Sequence, residues 1–191
     1  MAHSLVKGER HGLAKSLNVV RVELGWKPNP PGSRFPLDGD VSAHVLADFG
    51  GDRKWINDDD GPCFYNNKVS LGGALALSKD NRTGQGEGAD ETIIIKLNEL
   101  PPQAVEVAVL LSIHDYAARA QDWAGRDAVC ALFDHETGRE LATFRMGDNY
   151  SGLHTVQPGS FFRREGGGWD FKAMGDGFDF GLEPFWDKWA H

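Results

Sequence analysis

The 191-residue sequence lacks any apolar stretch near the ~20 residues that a membrane-spanning helix requires. Met1 to Arg10 has no apolar run that could act as a signal peptide. Cysteine is scarce. The two present, Cys63 and Cys130, are far apart and show no CxxC or zinc-type spacing, so they read as buried thiols of a cytoplasmic protein. Positive charge is also short, with 20 Lys and Arg against 28 Asp and Glu, a net charge of -8 and no basic stripe. That balance argues against a nucleic-acid phosphate partner. The chain has no Gly-x-Ser-x-Gly elbow and no cysteine with a histidine partner at a known catalytic spacing. An enzyme is therefore not expected.

Glycine, in contrast, is abundant at 24 residues, which favours short strands and many turns over long helices. Residues 1–17 are polar and broken by Gly8 and Gly12, and predict an irregular arm or a short edge strand. Strand signals follow at 18–24, 37–47, 69–77, 92–97 and 105–114, the last being the most apolar and assigned to a sheet centre. Segments 128–133 and 139–145 predict a hairpin across Asp134–Gly138, and 160–165 with 169–174 predict another across Gly166–Gly168. Residues 115–125 permit a short helix, and the tail to His191 predicts a short amphipathic one. The pattern predicts a single all-β domain over 1–191, a β-sandwich of two mostly antiparallel sheets with short helices.

One stretch stands apart. Asp80-Asn-Arg-Thr-Gly-Gln-Gly-Glu-Gly-Ala-Asp-Glu91 sets four carboxylates, Asp80, Glu87, Asp90 and Glu91, among glycines at 84, 86 and 88. Crowded carboxylates repel unless a cation lies between them, and alternating glycines let the backbone turn its carbonyls inward. Calcium accepts such irregular, oxygen-rich geometry best among the hard cations. Asn81, Thr83 and Gly86 supply candidate backbone carbonyl ligands. An EF-hand loop fails in the middle, where Arg82 and Gly84 stand at ligand positions and Gln85 at the turn glycine. A phosphate cradle fails because Glu87, Asp90 and Glu91 would repel the phosphate. A solvated acidic hairpin loop is the plain alternative. Asp38 and Asp40 stand two apart before a strand, on one side of the chain, where they can close an ion cage with the loop. Asp115, at the end of the central strand, is a further candidate ligand. His44 and His114 read as local, partly buried histidines, and Trp169, Trp186 and Trp189 as core or docking residues.

Together these pieces resemble the TerD family of bacterial tellurium-resistance and general stress proteins. The likeness is carried by Val22-x-Leu24-Gly25-Trp26, Leu37-Asp-Gly-Asp-Val-Ser-Ala43, Phe64-Tyr-Asn-Asn67 and the Asp80–Glu91 loop. It extends through Ile113-His-Asp115, Ala118-Arg119 and Gly168-Trp-Asp-Phe-Lys-Ala-Met-Gly-Asp-Gly-Phe178. The resemblance implies a two-sheet sandwich binding one or two calcium ions through loops at one end. Asp38 and Asp40 match the family's Asp-x-Asp pair, and Asp80, Glu87, Asp90 and Glu91 its acidic glycine loop. Three features depart from the pattern. Gly39 replaces an apolar residue, Ala89 replaces an acid, and the segment around Asn57–Asp60 is longer. The expected function is that of a non-enzymatic calcium-binding stress-response protein with unidentified protein partners. The alternative is a module that binds a small ligand, a carbohydrate or cyclic nucleotide, through calcium.

Overall fold

In the computed structural model, residues 2–29, 31–56, 60–78 and 89–182 are described. In chain order the strands are β1 (His3–Leu5), β2 (Arg10–Gly12), β3 (Val19–Gly25), β4 (Gly39–Asp48), β5 (Arg53–Trp55), β6 (Val69–Ser70) and β7 (Leu75–Leu77). They continue with β8 (Glu91–Lys96), β9 (Ala104–Ile113), β10 (Val129–Asp134), β11 (Glu140–Arg145), β12 (Thr155–Arg163) and β13 (Trp169–Phe178). One helical turn, α1 (Tyr116–Arg119), follows β9, and a 3-10 turn at Leu71–Gly73 joins β6 to β7. A seven-stranded sheet runs β1-β11-β10-β3-β8-β7-β6 and a six-stranded sheet runs β2-β13-β12-β9-β4-β5. All pairings are antiparallel except β1 with β11. The all-β sandwich is as expected. The tail helix falls on 183–191, outside the described residues.

Alternation explains the sandwich. In β3, Val20, Val22 and Leu24 face inward with no exposure, in register with Ile95 and Ile93 of β8 and Leu132 and Cys130 of β10. The facing sheet contributes Val41, Ala43 and Val45 from β4, opposite Leu111, Val109 and Val107 of β9, with Phe161 and Phe171 beside them. Each strand buries one side at period two. β9 lies inside its sheet between β4 and β12, as its apolar sequence predicts. The N-terminal arm forms two edge strands, β1 and β2, one on each sheet.

Register assigns the ends. Leu24 faces Glu91 and Gly25 faces Val129 in one sheet; Gly39 faces Ile113, and Ser112 faces both Asp40 and Thr155, in the other. Trp26 joins these edges. Its ring meets Trp123 edge-on at 5.8 Å and packs on Gly39, where a Cβ would lie 2.9 Å from the indole. The residue that departs from the family pattern thus has a packing reason: only glycine admits the Trp26 ring. Both free cysteines, Cys63 and Cys130, are buried, and burial pushes their thiols up to about 11 and about 12. No helix among the described residues is long and apolar enough to cross a membrane.

Candidate functional site

Five of the ten candidate ligands lie on described residues, and all five sit at the Trp26 end of the sandwich. Asp80, Asn81, Thr83, Gly86 and Glu87 belong to 79–88, outside the described residues. Asp90 and Glu91 emerge from that loop into β8. Asp90 is 7 % exposed; its Oδ2 accepts the Trp26 N–H at 2.9 Å, and its own N–H donates to the Leu24 carbonyl at 2.8 Å. Burial raises its carboxyl above the ordinary value, with the Trp26 hydrogen bond pulling the other way. Glu91 shares the face of Ile93 and Ile95, so its acid lies at the mouth of the core and is 5 % exposed. Strand alternation puts it there because the buried residues of β8 follow at the odd positions, 93 and 95.

The second group gathers around β4 and the end of β9. Asp38 precedes β4, and its carbonyl accepts the His114 N–H at 2.8 Å. Its Oδ2 lies 3.4 Å from Arg119 Nη1 on α1. Asp40 Oδ2 lies 3.6 Å from His114 Nδ1, while Asp115 Oδ2 lies 3.5 Å from His114 Nε2. Asp115 takes the left-handed backbone conformation, φ 51°, which turns the chain from β9 into α1. The histidine read as merely local therefore stands between two of the candidate acids. Arg119, quoted in the family motif without a role, neutralises a third.

A cavity of about 440 Å³ opens beside this group, lined by Asp40, Ser112, His114, Asp115, Tyr65 and Tyr116 among others. Tyr65 is 42 % exposed and meets the His114 ring edge-on at 6.0 Å. Its signal was present in Phe64-Tyr-Asn-Asn67, but sequence alone could not aim the ring at the acids. Trp26 Nε1 is buried and has no hydrogen-bond partner among the described residues. Among the described residues no three or more His, Cys, Asp or Glu side chains are grouped to hold a metal ion.

A two-sheet sandwich with acids converging at one end defines the class of protein. The TerD domain family matches residues 1–189, and the chain belongs to that family. It is 34% identical over 190 residues to the tellurium resistance protein TerD of Serratia marcescens, covering 95% of this chain and 94% of that one. It is 33% identical over 188 residues to general stress protein 16U of Bacillus subtilis, with the same two coverages, 95% and 94%. A crystal structure of a protein of unknown function, SAV2460, superposes with a TM-score of 0.72 at 24% identity, covering 88% of this chain and 94% of that one. That last likeness bears on the fold alone.

Proposed function

We propose that this protein is a non-enzymatic, calcium-binding stress-response protein of the cytoplasm, in which calcium orders the loops at one end of the sandwich. The observation that carries the reading is the buried pair Asp90 and Glu91 at the mouth of the acidic loop. Burial disfavours the charge of Asp90, and a cation beside it and the neighbouring Glu91 reverses that cost. The donor set fits: hard carboxylate oxygens suit calcium, which takes six to eight oxygen ligands. Asp90 and Glu91 would hold the ion with Asp80, Glu87 and carbonyls near Asn81, Thr83 and Gly86, and Asp38, Asp40 and Asp115 form the candidate second group. The stress role is carried by the likeness to tellurium-resistance and general stress proteins.

Thermal unfolding with calcium, with magnesium and with a chelator tests the reading. An ion binding only the folded state at 100 times its Kd adds about 2.7 kcal/mol, raising Tm by roughly 5–10 °C in a domain of this size. The rise should be specific to calcium and should vanish in Glu91→Gln. No rise with either cation would sink the calcium reading and leave the family assignment standing.

A second reading is favoured by Tyr65. An exposed aromatic ring beside Asp40 and Asp115 suits a small ligand bound through calcium, a carbohydrate or cyclic nucleotide. Tyr65→Ala separates the two: it should leave calcium affinity intact while abolishing any calcium-dependent binding of such a ligand.

A further inference from the structure

A second cavity, of about 800 Å³, lies away from the acidic end, on the outer face of the six-stranded sheet. Register fixes its floor: Glu106 of β9 stands between Leu46 of β4 and Phe162 of β12, all three on the face opposite the core-facing Val45, Val107 and Phe161. Trp55, Met174 and Phe178 complete apolar walls around the carboxylate. Glu106 is only partly exposed and, among the described residues, makes no ion pair. Burial raises its carboxyl above the ordinary value, while the nearby Ser160 hydroxyl and the charges of Lys172, Arg10 and Arg53 pull the other way. Gln157 in turn donates to the Ser160 hydroxyl at 2.9 Å. The two cations on the cavity rim are engaged elsewhere, Lys7 with Asp176 at 2.9 Å and Arg53 with Asp48 at 3.1 Å.

We propose that this cavity binds a small organic ammonium compound with an apolar body, its cation on Glu106 and its body against Leu46, Trp55 and Met174. The volume falls within the range of small-molecule pockets, roughly 300–1,000 Å³, and so does the composition of apolar walls with a few convergent polar groups. A cation gains from the carboxylate; the Phe162 ring already carries the Arg10 guanidinium, 4.6 Å from its centroid, and serves as wall. A divalent metal is a poor occupant, because Glu106 supplies at most two of the oxygens it requires and the other lining carboxylate, Asp176, is paired with Lys7. An anion is poorer still: it would have to break the Lys7–Asp176 or Arg53–Asp48 pair and approach a carboxylate. The competing role for Glu106 is structural, offsetting Arg10 and Lys172, which face each other directly across β2 and β13.

The full chain is titrated with 2-phenylethylamine at pH 7, and in parallel with 2-phenylethanol and 3-phenylpropionate. The indole N–H of Trp55, assigned through Trp55→Phe, is followed by NMR. The amine should give a saturating shift, with the alcohol at least tenfold weaker and the acid silent. Glu106→Gln keeps the side chain's shape and an acceptor oxygen, so it should weaken the amine at least tenfold while the unfolding midpoint holds or rises. Asp90→Asn should leave amine binding unchanged. Equal binding of amine and alcohol, or no saturating shift with the amine, overturns the proposal. So does a Glu106→Gln protein that loses stability but keeps the amine, which would assign Glu106 to the structural role.

Discussion

His44 lies on the outer face of β4, 2 % exposed, with Nε2 3.0 Å from the Ser42 hydroxyl. Burial drives its pKa from 6.5 down to about 3, so the ring stays neutral in the fold while the unfolded chain takes up a proton below pH 6.5. Its contribution to stability is therefore complete above that pH and is lost as pH falls, by about 1.4 kcal/mol per unit. Urea unfolding at pH 7, 6 and 5 should show this slope in the wild type and its reduction in His44→Gln; parallel profiles would mean that the ring protonates in place. Asp90 has the opposite sign. Its folded pKa is raised above the ordinary 3.8 by burial, so its contribution is greatest below that value and declines as pH rises through the raised one. Ionised Asp90 is then a net cost at pH 7 without a cation. Asn keeps an acceptor for the Trp26 N–H, so Asp90→Asn should be as stable as wild type or more so in chelator. In calcium it should gain nothing. A chelated Asp90→Asn protein melting well below wild type would show that the acid is a structural partner and not a ligand.

β12 shows how an element can hide from its own sequence. The strand signal in the sequence begins only at Ser160, past Pro158 and Gly159; the strand in fact starts at Thr155. Proline cannot donate to a ladder and is tolerated where pairing is interrupted, and the register with both neighbours shifts between 156 and 159. Gly159 is required for packing: a Cβ there would lie 2.2 Å from Phe171 Cζ and 2.6 Å from the Lys172 carbonyl. Gly159→Ala should cost at least about 2 kcal/mol through overpacking and backbone shift, measured by denaturant unfolding; a cost near zero would mean that β12 and β13 slide freely. The long strands β3, β4, β8 and β9 were legible because each carries a run of β-branched or other apolar residues. β5, with only Arg53, Lys54 and Trp55, carries no such signal and pairs as the return arm of a hairpin on the last three residues of β4. The 3-10 turn at Leu71–Gly73 appeared in the sequence as a weakness in one strand, and the chain uses it to separate β6 from β7.

At the scale of the molecule, the acids were legible as residue types but their grouping was not. Alternation predicted that Asp38 and Asp40 share a side, yet only the topology brings β4, β8 and β9 to end together. Nor could spacing reveal that Arg119 and His114 would stand among the acids, since both are distant from Asp38 and Asp40 in sequence and meet them through the β4–β9 register. If calcium orders this end, its effect on dynamics should be polar along the sandwich. Three amides report on the acidic end: Trp26 N–H to Asp90, Asp90 N–H to Leu24, and His114 N–H to Asp38. Two report on the far end: Leu97 N–H to Asn18, and Asp48 N–H to Gln103, both at 2.8 Å. Local openings of the acidic end release the ion, so calcium at 100 times its Kd should slow exchange there by about a hundredfold. The far-end amides should slow only to the extent that they exchange through global unfolding. Hydrogen exchange with calcium and with chelator measures all five in one experiment. Slowing confined to the first three would tie the ion to the loops that meet at Trp26; equal rates in both conditions at all five would remove calcium from this end of the molecule.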